Sequence, residues 1–181
     1  MQTASINDKK CREEEDSDCR IVAIADEHRP WLRSKVQEIW QGRYVYTRGI
    51  AHEPADLPGF LAVKDDETVG VATFHIKDAE CELVTIDAFE QWAGVGSLLI
   101  EAVEEEARKR QCGRMWMVTT NDNVDGLRFY QRRGYFICDV HPGAVEENRK
   151  QDPSIPLTGN HGIDIRDEIE MEKNLYCWIG W

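Results

Sequence analysis

The chain has 181 residues, 41% hydrophobic and 31% charged, which suits one globular domain and excludes a disordered or membrane-embedded chain. Its formal net charge of -12 argues against a nucleic-acid partner and is compatible with a cationic substrate drawn to an acidic mouth. No apolar run reaches the roughly 20 residues that span a bilayer, and the first residues lack a signal-peptide core, so a cytoplasmic protein without membrane contact is expected.

Residues 1–19 are polar and acidic and read as a mobile tail, residues 20–175 as one domain, and residues 176–181 as a short extension. Residues 20–24 have strand character. Pro30 suits a first helical position, and Leu32, Val36, Ile39 and Trp40 follow at helical spacing until Gly42. The stretch 42–58 reads as loop. Residues 60–63 and 69–76 flank a hairpin turn at Asp65-Asp66-Glu67, and a third strand covers 81–86, so an antiparallel meander is expected.

The pattern changes at Gly94. Val95, Leu98, Leu99, Ala102, Val103 and Ala107 form one apolar helical face, with Glu104–Arg108 and Glu105–Lys109 pairs on the wet face. Residues 115–118 are continuously apolar, as expected of a strand covered on both faces. Asn121-Asp122-Asn123 supplies capping chemistry for a helix carrying Val124, Leu127 and Tyr130 and ending at Gly134. A strand starts at Tyr135, residues 141–163 read mostly as loop, and a closing strand spans about 166–172. Trp31, Trp40 and Trp116 are expected in the core. Trp178 and Trp181 either stay exposed or pack on a partner, which leaves room for a homodimer. The six cysteines have irregular spacing, with no metal or disulfide framework.

The most informative stretch is a strand, then Gln91-Trp92-Ala93-Gly94-Val95-Gly96, then an amphipathic helix. The first-turn N–H groups of a helix are unpaired and the dipole adds partial positive charge. Glycines let a phosphate approach them closely. A tight strand-to-helix turn is the bland alternative. A nucleoside-triphosphate loop would need Gly-Lys-Ser/Thr, and a dinucleotide fingerprint a third glycine in an early βαβ unit; neither is present.

Taken together, Glu82-Leu83-Val84-Thr85-Ile86, the Gln91-x-x-Gly94-x-Gly96 turn and Asn123-x-x-Gly126-x-x-Phe129-Tyr130-x-x-Arg133-Gly134-Tyr135 resemble the GCN5-related N-acetyltransferase (GNAT) superfamily. The resemblance implies an α/β (α+β) fold: a mixed, mostly antiparallel twisted sheet, helices on both faces, and a V-shaped splay between the fourth and fifth strands. It further implies acetyl-CoA as co-substrate, no metal, and an amine acceptor, a small molecule or alternatively a protein lysine or N-terminus. A non-catalytic acyl-CoA-binding domain on the same fold is a rival reading. By position, Ile86 would meet the pantetheine arm, and Gln91, Trp92, Ala93, Gly94, Val95, Gly96 and Ser97 the pyrophosphate. Asn123, Phe129 and Tyr130 would complete the cofactor site. Ala93 stands where many members carry arginine, and Gly126 where alanine is usual.

Acyl transfer to an amine needs a base, because an amine of pKa near 10.4 is almost wholly protonated at neutral pH. Glu80 and Glu82 lie two apart and so share a strand face. The resemblance implies that a general base, where one is used, comes from this strand, and ungapped spacing back from Gly94 matches Glu80 to that position slightly better; a solvated strand face is the alternative for each. His75 and Asp87 stand behind them. The resemblance assigns Tyr130, protonated at neutral pH, to the leaving thiolate. His141, Asp164, Asp167 and Glu168 are read either as shaping an acceptor pocket or as solvated turns.

Overall fold

The computed structural model describes residues 19–40, 42–89 and 94–176. Its strands are β1 (Arg20–Ala23), β2 (Val45–Thr47), β3 (Ile50–His52), β4 (Gly59–Lys64), β5 (Glu67–Lys77), β6 (Glu80–Ala88), β7 (Arg114–Thr120), β8 (Phe136–His141) and β9 (Glu168–Asn174). Its α-helices are α1 (Arg29–Trp40), α2 (Val95–Lys109), α3 (Val124–Gln131) and α4 (Ala144–Gln151). Seven strands form one sheet in the order β1-β4-β5-β6-β7-β9-β8, and β2 and β3 form a separate hairpin. Every pairing is antiparallel except β6–β7.

Three hairpins turn on two residues, both with positive φ: Arg48-Gly49, Asp65-Asp66 and Asp78-Ala79. That backbone matches the twist of the flanking strands, which favours two-residue connections. It makes β4, β5 and β6 a meander, as the sequence suggests.

The core has two parts. On one face α2 packs Val95, Leu99, Ile100, Val103 and Ala107 against Ala72, Phe74, Leu83, Met115 and Met117, joined by Tyr130 and Tyr135. On the other, Leu32 and Val36 of α1 meet Leu61 and Val71. Gly70 permits the close approach of α2: a Cβ there would stand 2.7 Å from Val95 Cγ1 and 3.0 Å from Leu99 Cδ1.

Several expectations change. Residues 42–58 hold the β2–β3 hairpin and a 3-10 turn, and residues 141–163 hold α4. Trp31 is 37% exposed, lying edge-on to Phe89 rather than in the core. Residues 115–118 alternate, with Met115 and Met117 buried and Trp116 and Val118 half-buried, because one face of β7 is only partly covered. Glu104 is not on the wet face. It is buried, and takes bonds from the Tyr135 hydroxyl, Lys173 and Arg108, tying α2 to β9. Among the described residues, Cys19, Cys81, Cys112 and Cys138 form no disulfide.

Candidate active site

The parallel pair β6–β7 is short, with rungs at Glu80–Arg114, Cys81–Met115 and Glu82–Trp116. Beyond them β6 follows β5 as far as Ala88, while β7 follows β9 as far as Thr120. The sheet therefore splits after Glu82. Strand edges facing such a gap carry backbone donors and acceptors that need partners. A bulge at Val84 interrupts β6, since Phe74 pairs with Leu83 and Thr73 with Thr85. Through that shift Glu82, Thr85 and Asp87 lie opposite His75, Thr73 and Val71, alternate residues of β5 that share one face.

The start of α2 and one side of α3 meet the split in a cleft of about 840 Å³. Ile86, Asp87, Gly94, Val95, Gly96, Ser97, Asn123, Phe129 and Tyr130 line it. Gly94 is the N-cap of α2 with φ 78, and no side chain among the described residues caps the helix. Gly96 keeps the wall low, because a Cβ there would press within 3.1 Å of the Phe129 ring. Gln91, Trp92 and Ala93 lie outside the described residues.

Asn123 caps α3, accepting from Gly126 N–H at 3.0 Å and donating to Thr119 Oγ1 at 2.9 Å. The departure at Gly126 has its reason here: a Cβ would fall 2.4 Å from Asn123 Nδ2. Without a side chain at 126, the capping amide folds over the helix start.

Sequence reasoning missed three arginines that line the cleft, Arg128, Arg132 and Arg133. Arg133 lies 3.6 Å over the Phe129 ring, donates to Phe129 O at 3.0 Å and also to Ser97 Oγ, joining α3 to the first turn of α2. Burial lowers its pKa, Glu101 opposes this and Arg132 adds to it. The signal was present as Arg132-Arg133, just after the Phe129-Tyr130 pair. These cations stand where anionic groups would be held in an otherwise acidic protein.

Tyr130 is 8% exposed, packed edge-on against Phe129 and Tyr135, and makes no side-chain hydrogen bond among the described residues. Burial, reinforced by Asp87, raises its pKa, so the phenol keeps its proton. Asp87 itself has Oδ2 buried without a hydrogen-bond partner among the described residues, and burial pushes its pKa up to about 7.

Glu82 and Glu80 share the face away from α2, but their surroundings differ. Neither is among the residues that line the cleft, and Glu80 is paired with Arg114 at 3.0 Å at the closed end. Glu82 is 4% exposed at the last rung before the split, where the β2–β3 hairpin covers it. The Thr47 hydroxyl donates to it at 2.5 Å, and His52 Nε2 lies 3.5 Å away. Burial lowers the His52 pKa; Glu82 opposes this and His75, its ring centroid 5.8 Å away, adds to it.

Glu168 is buried beside the hairpin, accepting from Arg48 N–H at 3.0 Å and Asn148 Nδ2 at 2.8 Å. Asp164 and Asp167 form turn contacts with Thr158, Arg166 and Gly143. His141 lies 3.3 Å from Glu170, a buried carboxylate that sequence reasoning missed. Burial raises the Glu170 pKa, but Arg114, His141 and Arg48 outweigh it and hold it below the usual range.

A mixed sheet split at its one parallel pair, with an uncapped helix start at the mouth of the split, is the framework of an acyltransferase fold. The chain matches the acetyltransferase (GNAT) family over residues 15–135 and belongs to that family. Protein YdhI of Bacillus subtilis (strain 168) is 42% identical over 119 residues, covering 65% of this chain and 74% of that one. Streptothricin acetyltransferase of Streptomyces lavendulae is 30% identical over 98 residues, covering 51% of each. Among solved structures, a Bacillus subtilis acetyltransferase in complex with CoA aligns with TM-score 0.64 and 20% identity over 87% of this chain and 99% of that one. A GNAT acetyltransferase of Elizabethkingia anophelis with acetyl-CoA bound gives TM-score 0.64 at 18% identity, over 87% and 99%. At these identities the likeness carries the fold. No helix among the described residues is long and apolar enough to cross a membrane.

Proposed function

We propose that the protein transfers an acetyl group from acetyl-CoA to a primary amine of a small molecule, by direct attack in a ternary complex. The observation that carries this reading is the split after Glu82, with Tyr130 lining its cleft on one side and Glu82 buried at its closed end on the other. The residues present fit the co-substrate. The uncapped start of α2, the low wall at Gly96 and the arginines of α3 offer donors and charge for a diphosphate. The edge of β6 around Ile86 offers main-chain groups to an amide-bearing arm. Acetyl-CoA supplies an activated acyl carbon and a thiolate leaving group.

Glu82 receives one proton of the incoming ammonium, the freed nitrogen bonds to the acyl carbon, the carbon–sulfur bond breaks, and the surplus proton of the nitrogen passes to the departing sulfur, which leaves as the thiol. Tyr130 donates a hydrogen bond to the departing sulfur. Because its pKa is raised above that of an ordinary phenol, it stabilises the thiolate by that bond rather than surrendering its proton outright. The hairpin roof over Glu82 and the likeness to streptothricin acetyltransferase support a small acceptor.

A thiol-release assay with acetyl-CoA against small amines and peptides tests the reading. Tyr130→Phe is expected to lower kcat about tenfold or more while coenzyme A affinity is kept. Unchanged turnover would remove the role given to Tyr130, and faster turnover of peptides than of any small amine would reverse the choice of acceptor.

A further inference from the structure

The sheet face beneath the hairpin buries three carboxyl groups, those of Glu82, Glu168 and Glu170. Glu82 is 4% exposed, yet among the described residues no lysine or arginine pairs with it. Its support is one Thr47 hydroxyl and an imidazole nitrogen at 3.5 Å, beyond a good hydrogen bond. That nitrogen, His52 Nε2, belongs to a side chain 8% exposed and makes no hydrogen bond among the described residues. A carboxylate withdrawn from water needs a cation nearby, and a hydroxyl is a poor substitute.

Trp116 stands beside Glu82 on the last rung of β6–β7. Two guanidiniums approach its ring, Arg114 at 5.6 Å and Arg48 at 5.3 Å. Arg114 is fixed by Glu80, Glu170 and Glu172. Arg48 is held more loosely. Its side chain is 49% exposed at the hairpin turn, and its Nε reaches Glu170 at 3.7 Å, an ion-pair distance without a side-chain hydrogen bond. An aromatic face beside a buried carboxylate is a standard receptor for an organic cation. The Arg48 guanidinium therefore occupies a place that suits a ligand's charge.

We propose that this box is the acceptor site and that the acceptor carries two positive charges. The ammonium to be acetylated lies against Glu82 beside His52, and the second cation lies on Trp116 against Glu170, displacing the Arg48 side chain. This rests on the acetyl-transfer reading. Strands β6 and β9 are two spacings apart, roughly 10 Å, and Glu170 lies two residues along β9 from Glu172, the partner of Trp116, so the backbones of Glu82 and Glu170 stand roughly 12 Å apart; carboxylates reaching in from both leave roughly 7–8 Å between the bound nitrogens, the span of a five-carbon chain. The class is thus a linear diamine, or a larger molecule bearing a lysine-like arm with a second amine.

Calorimetry on the full chain with coenzyme A present, at fixed ionic strength, compares 1,5-diaminopentane with pentylamine. The diamine is expected to bind about tenfold more tightly, equivalent to about 1.4 kcal/mol. Glu170→Gln should remove most of that preference. Arg48→Ala, which retains the main-chain bond to Glu168, should tighten the diamine about threefold or more and leave pentylamine unchanged. If Glu170→Gln does not fold, Arg48→Ala decides alone. Equal affinity for the two amines, or a preference that Arg48→Ala fails to raise, overturns the proposal while leaving acetyl transfer intact. Failure of coenzyme A itself to bind overturns both.

Discussion

Replacing Asp87 with asparagine should make the protein more stable at neutral pH and leave its stability at pH 4 nearly unchanged. The carboxyl has one oxygen buried without a hydrogen-bond partner among the described residues, and burial raises its pKa from 3.8 to about 7. In the unfolded chain the group ionises near pH 4. In the native state it keeps its proton until about pH 7. Between those values the native state binds more protons than the unfolded state, so stability falls as pH rises, then levels off above pH 7. About three pH units at about 1.4 kcal/mol each give a ceiling of about 4 kcal/mol. Asp87 is only half-buried as a whole, which reduces the expectation to about 2 kcal/mol. Asparagine does not titrate in this range. Urea unfolding of both proteins from pH 4 to 8 isolates the residue, because other titrating groups cancel in the difference. The advantage of Asp87→Asn should grow by about 2 kcal/mol across that range, or about 6 °C in Tm. A difference that stays flat from pH 4 to 8 refutes the buried-carboxyl argument.

Glu82→Gln should lower kcat/KM about a hundredfold at pH 7, with the loss shrinking as pH approaches the amine's own pKa; an equal loss at every pH would deny Glu82 the role of base. Arg133→Ala should weaken coenzyme A binding about tenfold and flatten its dependence on salt, which titrations at two ionic strengths would show. A salt dependence as steep as the parent's would make Arg133 a packing residue only. Gly70→Ala should destabilise the protein by about 1–3 kcal/mol, because the new Cβ meets Val95, Leu99 and the Asp87 carbonyl; urea denaturation of parent and variant at one fixed pH measures this.

The meander, α2 and α3 were legible because their periodicities are local and long enough to register. The β2–β3 hairpin was not, since each strand has three residues and the turn Arg48-Gly49 supplies its only clear signal. Helix α4 was hidden for another reason: apart from Val145 and Asn148 it buries little, so it carries no apolar stripe. The glycine turn and Tyr130 could be aligned by motif, and the structure lines one cleft with Gly94, Gly96 and Tyr130. Spacing favoured Glu80 over Glu82, yet Glu80 sits in an ion pair at the closed end while Glu82 lies under the hairpin. Neither the bulge at Val84 nor the roof over Glu82 has a one-dimensional signature, because both arise from pairing between distant segments.

The connectivity of the split also bears on how it is assembled. Strands β4, β5 and β6 are joined by two-residue links, so their contacts require little loop closure. Strand β7 can reach β6 only after the chain has passed through α2, and β9 must return from beyond α4 to flank β7. Contacts of long sequence separation form slowly, so the meander is expected to mature first and the second wall of the cleft to dock afterwards. Lesions in β7 or β9 should then leave a collapsed, meander-bearing chain without a binding crevice, whereas lesions in β4–β5 should prevent collapse itself.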